Sequence, residues 1–559
     1  MKKSVSFLAV VLLVGSSFSA PRKKVIAYGW DILAASPSDI LAHAADFDRL
    51  PIDGVIISSN GKNAEGRNIQ HRYLMNNPAW NYDALDGEID TLREIVKHPS
   101  LRESFLGAWI STEPRLKWTD EVAWKRASAN ISVLAHLAKA GGLKGLALDA
   151  EDYHKTAQFY RAKDDPPYEE LKGIVRRRGR EFFKAIFDEY PDVTLFSFWI
   201  MSFEPAYRKS ADLQVTASRL GDLWPSFIDG MFDVMPKTAR FVDGDEHSYK
   251  YQAGRGEFVA SAYHRLSRVL PLLAPEHRET YRGRVSISNA LYPDAFADSS
   301  KPGMYWYQPP LDGSRDRHFR LCIAEAFNAS DEYVWLYGEQ GTWIDWEGPF
   351  YRKHYASNIA EPFRRDWNVA FPGLYLYLAA LRTPQAVLAK VLSRGLKASD
   401  NLIRNPLCRS VGANRLPSPY GFRCDAKELT GDYGVDETVC RGEAKSLYLK
   451  GTARTYLLAT EPVTSGSFYV ASVLAKGTGS PTACVWMMTG SEHRHDLPTP
   501  SLEFGAPDED GWRQGSALVL VPQGVTHVEM NLGGDLSGNK QIFFCEPYLG
   551  RLAGKGERQ

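Results

Sequence analysis

The sequence has no excess of charge of either sign. Lys and Arg together number 67, Asp and Glu also number 67, and the formal net charge is zero. Proteins that hold nucleic acid or other polyanions do so largely through a surplus of basic side chains. The composition therefore gives no support for a nucleic-acid partner.

Long apolar segments are also lacking, because no run reaches the length of about 20 residues that a membrane-spanning helix needs. The chain begins with Met1-Lys2-Lys3, continues with an apolar run from Val5 to Val14 and ends this region with small residues through Ala20. This order is typical of a secretory signal peptide. We predict a signal peptide over residues 1–19 and a secreted or periplasmic protein without a membrane anchor.

Cysteine is scarce, and no Cys-x-x-Cys spacing occurs. Cys322 stands alone in the first part of the chain, and five cysteines fall in its last third. The spacing gives little support for a zinc or redox centre, so we predict no metal and no cofactor. Some of the cysteines could pair in an exported protein, and their connectivity stays open.

Short apolar runs alternate with longer amphipathic patterns from Lys24 to about Asp345. Between the runs, residues such as Leu85, Ile89 and Leu92 recur at the helical period. The predicted strands are Val25–Asp31, Gly54–Ser58, Phe105–Ser111, Gly145–Asp152, Leu195–Met201, Thr238–Asp243, Val285–Leu291 and Glu332–Glu339. Eight strand–helix repeats predict a (β/α)8 barrel over residues 20–397. A doubly wound sheet is the alternative, but no Gly-rich phosphate loop follows the first strand.

The helical period disappears from Asn401 onward. Short β-prone segments separated by Gly, Ser, Asp and Pro predict an all-β sandwich over residues 401–559. The fold class is therefore α/β, a TIM barrel followed by a β-sandwich. The opening Asn401-Leu402-Ile403-Arg404-Asn405-Pro406 and the ending Phe543-Phe544-Cys545-Glu546-Pro547-Tyr548-Leu549 resemble those of jelly-roll carbohydrate-binding modules. The resemblance implies a jelly-roll topology and a sugar ligand.

Acidic residues follow three of the predicted barrel strands. Side chains on barrel strands alternate between the interior and the helix layer, and active sites form where the strands end. Each acid could instead be a structural ion pair or part of a turn, but their coincidence at one face predicts a site. The catalytic candidates are Asp149 and Glu151 at the end of the fourth strand, Asp243 at the end of the sixth, Glu246 in the loop that follows it, and Glu339 at the end of the eighth.

Tryptophans gather at the same strand ends. The apolar faces of sugar rings stack on flat aromatic side chains, so tryptophans beside carboxylates are typical of sites that cleave glycosidic bonds. We expect Trp335 to contact the substrate rather than to support the fold. The predicted substrate-binding residues are Trp30, Asp31, Trp109, Trp199, Asp245, Trp335, Tyr337 and Trp343.

In outline the chain resembles the (β/α)8-barrel glycoside hydrolases, many of which carry sugar-binding sandwiches. The strand-four exit Asp149-Ala150-Glu151 lacks the Asn-Glu pair of many retaining members, and the acidic run of chitinase-like barrels is absent. The resemblance implies a carbohydrate substrate and a mechanism with two carboxylates. We predict Glu151 as general acid/base and Glu246 as nucleophile or base, with Asp243 and Glu339 as alternatives for the second role.

Two other functions stay open. A metal-dependent hydrolase of the phosphodiesterase kind could use Asp149, Glu151, Asp243 and Glu246 as oxygen ligands. A sugar-binding protein without catalytic activity could keep the barrel as a scaffold. The distances between the acids in the folded chain distinguish these functions from a glycoside hydrolase.

Overall fold

The computed structural model describes most of the chain beyond the predicted signal peptide, which lies outside the described residues. The described residues are 22–59, 74–75, 80, 82, 86–112, 114–151, 157–202, 205–346, 365–409, 411–412, 414–424, 431–451, 455–536 and 538–553.

A parallel sheet closes into a barrel in the first part of the chain. Its strands are β1 Lys24–Gly29, β2 Gly54–Ile57, β3 Phe105–Trp109, β4 Gly145–Asp149, β5 Thr194–Ser197, β6 Arg240–Asp243, β7 Val285–Ile287, β8 Asn289–Leu291 and β9 Tyr333–Gly338. The spatial order is β7-β6-β5-β4-β3-β2-β1-β9-β8. Since only Ser288 separates β7 from β8, these two segments form one interrupted strand that closes the ring between β6 and β9. The predicted eight-stranded barrel is confirmed.

Helices cover the outside of the barrel between successive strands. One long helix, Glu121–Ala140, begins after Asp120, whose side chain accepts a hydrogen bond from the backbone N of Ala123 (3.0 Å) and so caps the helix. The α-helices are Trp30–Ala34, Pro37–Ala42, Ala44–Phe47, Asp86–Ile95, Glu121–Ala140, Tyr168–Glu189, Pro205–Lys209, Leu213–Leu220, Trp224–Phe232, Glu257–Tyr263, Arg278–Arg284, Arg315–Ala329, Trp367–Ala370, Leu374–Arg382 and Pro384–Ser393. Within the described residues, none of these helices is long and apolar enough to cross a membrane.

The barrel interior is filled in layers. At the end where the strands begin, the ammonium of Lys24 lies 2.9 Å from Glu103 and 2.5 Å from Glu332, so these partly buried charges compensate one another. Aromatic rings from β3, β5 and β9 pack above this ion cluster: Phe105, Phe196, Tyr333 and Trp335. The interior is therefore a packed core rather than a pore.

The last part of the chain forms two antiparallel sheets. One has the order β12-β15-β21-β17-β18, from Gly421–Cys424, Thr455–Pro462, His527–Asp535, Ser480–Thr489 and Glu492–His493. The other has the order β13-β14-β22-β16-β20-β19, from Asp432–Arg441, Ala444–Lys450, Gln541–Arg551, Phe468–Gly477, Arg513–Leu520 and Glu503–Pro507. The predicted sandwich architecture is confirmed, while the division of the chain at residues 397 and 401 stays a prediction.

Two short strands and the cysteines complete the description. The strands β10 (Gly341–Thr342) and β11 (Arg365–Asp366) pair in parallel beyond the end of β9. All six cysteines lie within the described residues, and none of them forms a disulfide there.

Trp335 corrects one expectation from the sequence, because it supports the fold instead of contacting a substrate. Its side chain is 0% exposed, its ring stacks on Phe198 at 4.7 Å, and its indole N donates to the carbonyl of Gly244 (2.8 Å). The alternation of the strand does point Trp335 inward, but the residue lies beneath the mouth of the barrel.

We therefore expect Trp335→Ala to lower the free energy of unfolding by about 3–5 kcal/mol, since it opens a large cavity in the core. Urea denaturation followed by circular dichroism measures the change. Tyr305→Ala is the control, because this aromatic side chain is 74% exposed and its loss should change stability by less than about 0.5 kcal/mol. Equal effects of the two replacements would contradict the assignment.

Candidate active site at the barrel mouth

The exit of β4 holds two carboxylates in a fixed backbone arrangement. Asp149 accepts a hydrogen bond from the backbone N of Glu151 at 2.8 Å. Trp109, at the end of the neighbouring β3, donates its indole N–H to the carbonyl of Glu151, also at 2.8 Å. Asp149, Glu151 and Trp109 are all partly exposed. The two bonds orient the backbone of Glu151 at the lip of the barrel.

The exit of β6 forms a tight loop held by its own acids. Asp243 accepts hydrogen bonds from the backbone N of Met201 (3.1 Å) and the hydroxyl of Ser202 (2.9 Å). Asp245 adopts a left-handed conformation (φ 43°) and accepts from the hydroxyl of Ser261 at 2.6 Å. The 3-10 helix Glu246–Lys250 begins directly after it.

A fully buried arginine compensates both of these acids. The guanidinium of Arg265 lies 3.8 Å from Oδ1 of Asp243 and 3.4 Å from Oδ2 of Asp245. It also donates to the carbonyl of Ser288 (2.7 Å) and to Oδ1 of Asn289 (3.0 Å), at the break between β7 and β8. Arg265 therefore ties the exit of β6 to the neighbouring strand.

This pairing corrects the roles predicted for Asp243 and Asp245. The sequence analysis assigns Asp243 to catalysis and Asp245 to substrate contact, but both side chains are fully buried. A buried carboxylate needs a compensating charge, and Arg265 provides it. We assign both acids to anchoring the loop.

Glu246 lies among the other carboxylates of the mouth. Burial raises the pKa of Glu246 well above the usual carboxyl range, and the charges of Glu151, Asp149 and Glu339 raise it further. The structure thus brings four of the five catalytic candidates into one electrostatic cluster. A raised pKa of this origin is common in carboxyl groups that carry a proton for catalysis.

Glu339 approaches this cluster from the end of β9. Its Oε1 accepts a hydrogen bond from the hydroxyl of Tyr337 (3.2 Å), Tyr292 donates a further one, and burial raises its pKa. Beneath it, Asp294 accepts hydrogen bonds from the backbone N of Glu339 (2.8 Å) and of Gln340 (3.1 Å). Burial raises the pKa of Asp294 to about 7. The sequence analysis missed Asp294, although it closely follows the seventh strand.

Tyrosine rings form the aromatic lining of the site. Ring centroids lie 5.2 Å apart for Tyr249 and Tyr292, 5.9 Å for Tyr292 and Tyr337, and 5.4 Å for Tyr337 and Tyr28. Trp306 packs edge-on against Tyr249 at 5.4 Å. Of these residues only Tyr337 was predicted. A search for any aromatic residue beside the acids would have found Tyr249, three positions after Glu246.

The predicted tryptophans divide into two groups by burial. Trp30 and Trp109 are partly exposed, whereas Trp199 is largely buried and Trp343 completely buried. The indole N of Trp343 donates to the carbonyl of Tyr28 at 3.1 Å. Complete burial of Trp343 corrects the expectation that its ring stacks on a substrate, whereas the assignment of Trp199 stays a prediction.

Asp31 has a structural role for the same reason. Its Oδ2 accepts hydrogen bonds from the backbone N of Trp343 (2.8 Å) and the indole N of Trp346 (3.1 Å). Burial raises the pKa of Asp31 to about 6. The carboxyl group thus joins the exit of β1 to the segment after β9 instead of facing a substrate as predicted.

Fold and site together define an α/β barrel with an acidic, tyrosine-lined mouth, followed by a β-sandwich. Within the described ranges, no three His, Cys, Asp or Glu side chains are arranged so that they could hold a metal ion. A scan against models of protein families and a search of curated proteins each find no match.

A search of solved structures finds similarities, and the three described next are weak and cover a small share of this chain. The enzymatically active domain of bacteriophage CBA120 tailspike protein 4 is 14% identical over 28% of this chain and 22% of its own, with a TM-score of 0.22. The structure described as "CBM4 structure and function" is 14% identical over 27% of this chain and 99% of its own, with a TM-score of 0.21. The CBM22-1 and GH10 modules of Clostridium thermocellum endo-1,4-β-D-xylanase 10B are 10% identical over 29% of each chain, with a TM-score of 0.21. The fold itself is defined by the strand pairing above.

Glu246→Gln should be more stable than the wild type, and this difference should grow as the pH rises. Because the pKa of Glu246 is raised in the folded protein, the fold loses stability above the ordinary carboxyl pKa of about 4.3, where the unfolded chain ionises. Gln does not ionise, so the variant does not lose this stability. Its free energy of unfolding should exceed that of the wild type by about 1.4 kcal/mol for each unit by which the pKa of Glu246 is raised. Chemical denaturation between pH 4 and 8 measures the difference.

The control is Glu170→Gln, which replaces an exposed carboxylate on the helix Tyr168–Glu189. Its stability should stay parallel to that of the wild type at every pH. A Glu246→Gln variant whose stability also follows the wild type across this range would contradict the raised pKa.

Proposed function

We propose that this protein is a secreted or periplasmic glycoside hydrolase that uses two carboxyl groups of the barrel mouth. The observation that carries the proposal is the raised pKa of Glu246 beside Glu151, Asp149 and Glu339. Glycosidic cleavage requires one protonated carboxyl group and one ionised carboxylate at the same bond. In the mouth, Glu246 is the group suited to keep its proton, because the negative charges of its acidic neighbours raise its pKa.

In this proposal Glu246 is the general acid and Glu151 the second carboxylate. The sequence analysis assigned these roles in reverse, and the raised pKa of Glu246 favours the exchange. Glu246 gives its proton to the glycosidic oxygen as the bond from this oxygen to the anomeric carbon breaks. Glu151 either takes a proton from the attacking water or bonds to the anomeric carbon until water replaces it.

The remaining groups of the mouth are proposed to bind the sugar. Glu339, held by Tyr337 and Tyr292, offers acceptor oxygens to sugar hydroxyls. The partly exposed rings of Trp30, Trp109 and Tyr337 are the aromatic surfaces that a sugar face can reach. The sequence-based assignment of Trp30, Trp109 and Tyr337 to substrate binding is retained in this proposal.

Two matched variants test the assignment of the acid. An aryl glycoside with a good leaving group needs little protonation, whereas a natural glycoside needs full protonation. We expect Glu246→Gln to lower kcat/KM on a natural glycoside by two or more orders of magnitude and on the aryl glycoside far less. Glu151→Gln should lower both to a similar extent, because its role does not depend on the leaving group.

The reverse pattern would return the acid role to Glu151. Equal losses on both substrates for both variants would remove the acid role from this pair. Absence of hydrolysis by the wild type across aryl glycosides and polysaccharides would reject the proposed function.

The sandwich is proposed to hold the polysaccharide through the outer face of its five-stranded sheet. Leu457, Val485 and Met530 lie in the sandwich core, so strand alternation turns neighbours such as Tyr456, Trp486 and Asn531 to the other face. Trp486 and Tyr456 are partly exposed.

A cation and an amide group accompany these aromatic rings. The guanidinium of Arg423 lies 4.8 Å from the ring centre of Trp486 and 5.3 Å from that of Tyr456. Asn531 donates to the carbonyl of Glu529 at 3.1 Å, while its own Oδ1 is buried without a hydrogen-bond partner among the described residues. Aromatic rings beside hydrogen-bonding groups are suited to sugar faces and hydroxyls.

Trp486→Ala should weaken retention by an insoluble polysaccharide substrate about 10-fold, because one aromatic stacking contact contributes up to about 1.5 kcal/mol. Depletion binding assays with the intact protein measure the loss. Hydrolysis of a short aryl glycoside should be unchanged, since Trp486 lies on a strand of the sandwich and not at the barrel mouth. Tyr448→Ala, which removes an aromatic residue of the other sheet, is the control and should bind normally. Equal binding by wild type and Trp486→Ala would refute the sandwich site.

A further inference from the structure

Glu246 and Tyr249 lie on one face of the same short helix. The segment Glu246–Lys250 is a 3-10 helix, in which side chains three positions apart are eclipsed. Glu246 and Tyr249 have this spacing. The carboxyl group and the phenol therefore project in the same direction, toward the mouth.

The ring of Tyr249 is firmly held. It contacts Tyr292 at 5.2 Å, Trp335 at 5.7 Å and Trp306 at 5.4 Å between ring centroids. Its backbone carbonyl accepts a hydrogen bond from Nε2 of Gln308 at 3.1 Å. The position of the hydroxyl is thus determined by contacts on several sides.

The hydroxyl of Tyr249 nevertheless has no hydrogen-bond partner among the described residues, although the side chain is only 4% exposed. Burial raises the pKa of this phenol well above its usual value, and the charge of Glu246 raises it further, followed by those of Tyr337 and Glu151. The group therefore stays a proton donor at any working pH. A buried donor without an acceptor is costly to a fold, which suggests that its acceptor forms during function.

We propose that Tyr249 is a positioning residue for Glu246, and that its hydroxyl donates a hydrogen bond to the carboxylate of Glu246 once that group has released its proton. This inference rests on the proposed function of Glu246 as the acid. Tyr249 acts through Glu246 and does not touch the substrate.

The step balances around one proton. The O–H bond of Glu246 breaks, its proton goes to the glycosidic oxygen, and the electron pair stays on the carboxylate. The new negative charge then lies beside Glu151, Asp149 and Glu339. A hydrogen bond that forms only with the ionised group stabilises the transition state more than the ground state.

The other titratable groups near Glu246 are carboxyl groups, which cannot donate a hydrogen bond once ionised, and phenols that donate to Glu339. From β4 come Asp149 and Glu151, and from the end of β9 Glu339 and Tyr337, whose hydroxyl bonds to Glu339. Tyr292, after β8, also donates to Glu339.

The basic residues of the helix itself are directed elsewhere. Lys250 places its ammonium 3.5 Å from the ring centre of Tyr305 and 4.8 Å from that of Trp306. The ring of His247 packs edge-on against Tyr251, with 6.1 Å between ring centroids, and burial and the nearby charge of Arg208 lower its pKa. Among these groups, Tyr249 is the one suited to donate a hydrogen bond to the carboxylate of Glu246.

A stability cycle tests the pairing without relying on hydrolysis. The wild type, Tyr249→Phe, Glu246→Gln and the double variant are denatured with urea between pH 4 and 9. At low pH, where Glu246 is protonated, Tyr249→Phe should equal or exceed the wild type in stability. At high pH it should be less stable by about 10- to 100-fold in the unfolding equilibrium constant, the usual contribution of a hydrogen bond to a charged group. In the Glu246→Gln background the effect of Tyr249→Phe should not change with pH.

Kinetic measurements provide a second test of the hydrogen bond between Tyr249 and Glu246. Tyr249→Phe should lower kcat and move the alkaline limb of the pH–rate profile to higher pH, because the ionised form of Glu246 loses its donor. Tyr420→Phe is the control, since it removes another buried hydroxyl that has no partner among the described residues, in the sandwich. Its pH–rate profile should match that of the wild type.

A pH-independent effect of Tyr249→Phe, or the same effect with and without Glu246, would overturn the pairing. If the stability cycle shows the coupling while no glycoside is hydrolysed, the pairing stands and the proposed function fails.

Discussion

The mouth of the barrel depends on the buried guanidinium of Arg265. This group compensates Asp243 and Asp245, which lie at the exit of β6, and binds backbone and side-chain oxygens at the break between β7 and β8. Without it, two carboxylates would remain buried and uncompensated, a condition that costs several kcal/mol. Asp245 adopts a left-handed conformation, and the 3-10 helix that starts with Glu246 follows it directly. The position of Glu246, and with it the candidate active site, therefore depends on an ion pair that touches no substrate.

The two ends of the barrel differ in how fully their charged groups are paired. Where the strands begin, Lys24 lies between Glu103 and Glu332, so each charge has a partner. Where the strands end, Glu246 has acidic neighbours and a raised pKa. Such an arrangement lowers the stability of the fold, and functional sites commonly retain interactions of this kind. This contrast favours the mouth, rather than the opposite end, as the place of the proposed chemistry.

The aromatic residues of the barrel show what strand alternation can and cannot predict. It placed Trp335 inside the barrel, which the structure confirms, but it could not tell the depth of the side chain. Depth depends on the stagger of neighbouring strands, which brings Trp335 under Gly244 and against Phe198. The mouth is lined instead by tyrosines that include Tyr249 and Tyr292. These two lie outside the barrel strands, where strand alternation makes no prediction.

The sequence by itself determined the barrel, the sandwich and the strands that end in acids, because the helical and strand periods are local properties of the chain. Asp149, Glu151, Glu246 and Glu339 were found in this way. The tertiary structure alone decided which acids are compensated: Asp243 looks like a catalytic group and Asp245 like a substrate contact until Arg265, from a later segment of the chain, is packed against them. Asp31 and Trp343 likewise became partners only when the chain closed the ring between β1 and β9. Burial and ion pairing depend on contacts between distant segments, and no local pattern contains them.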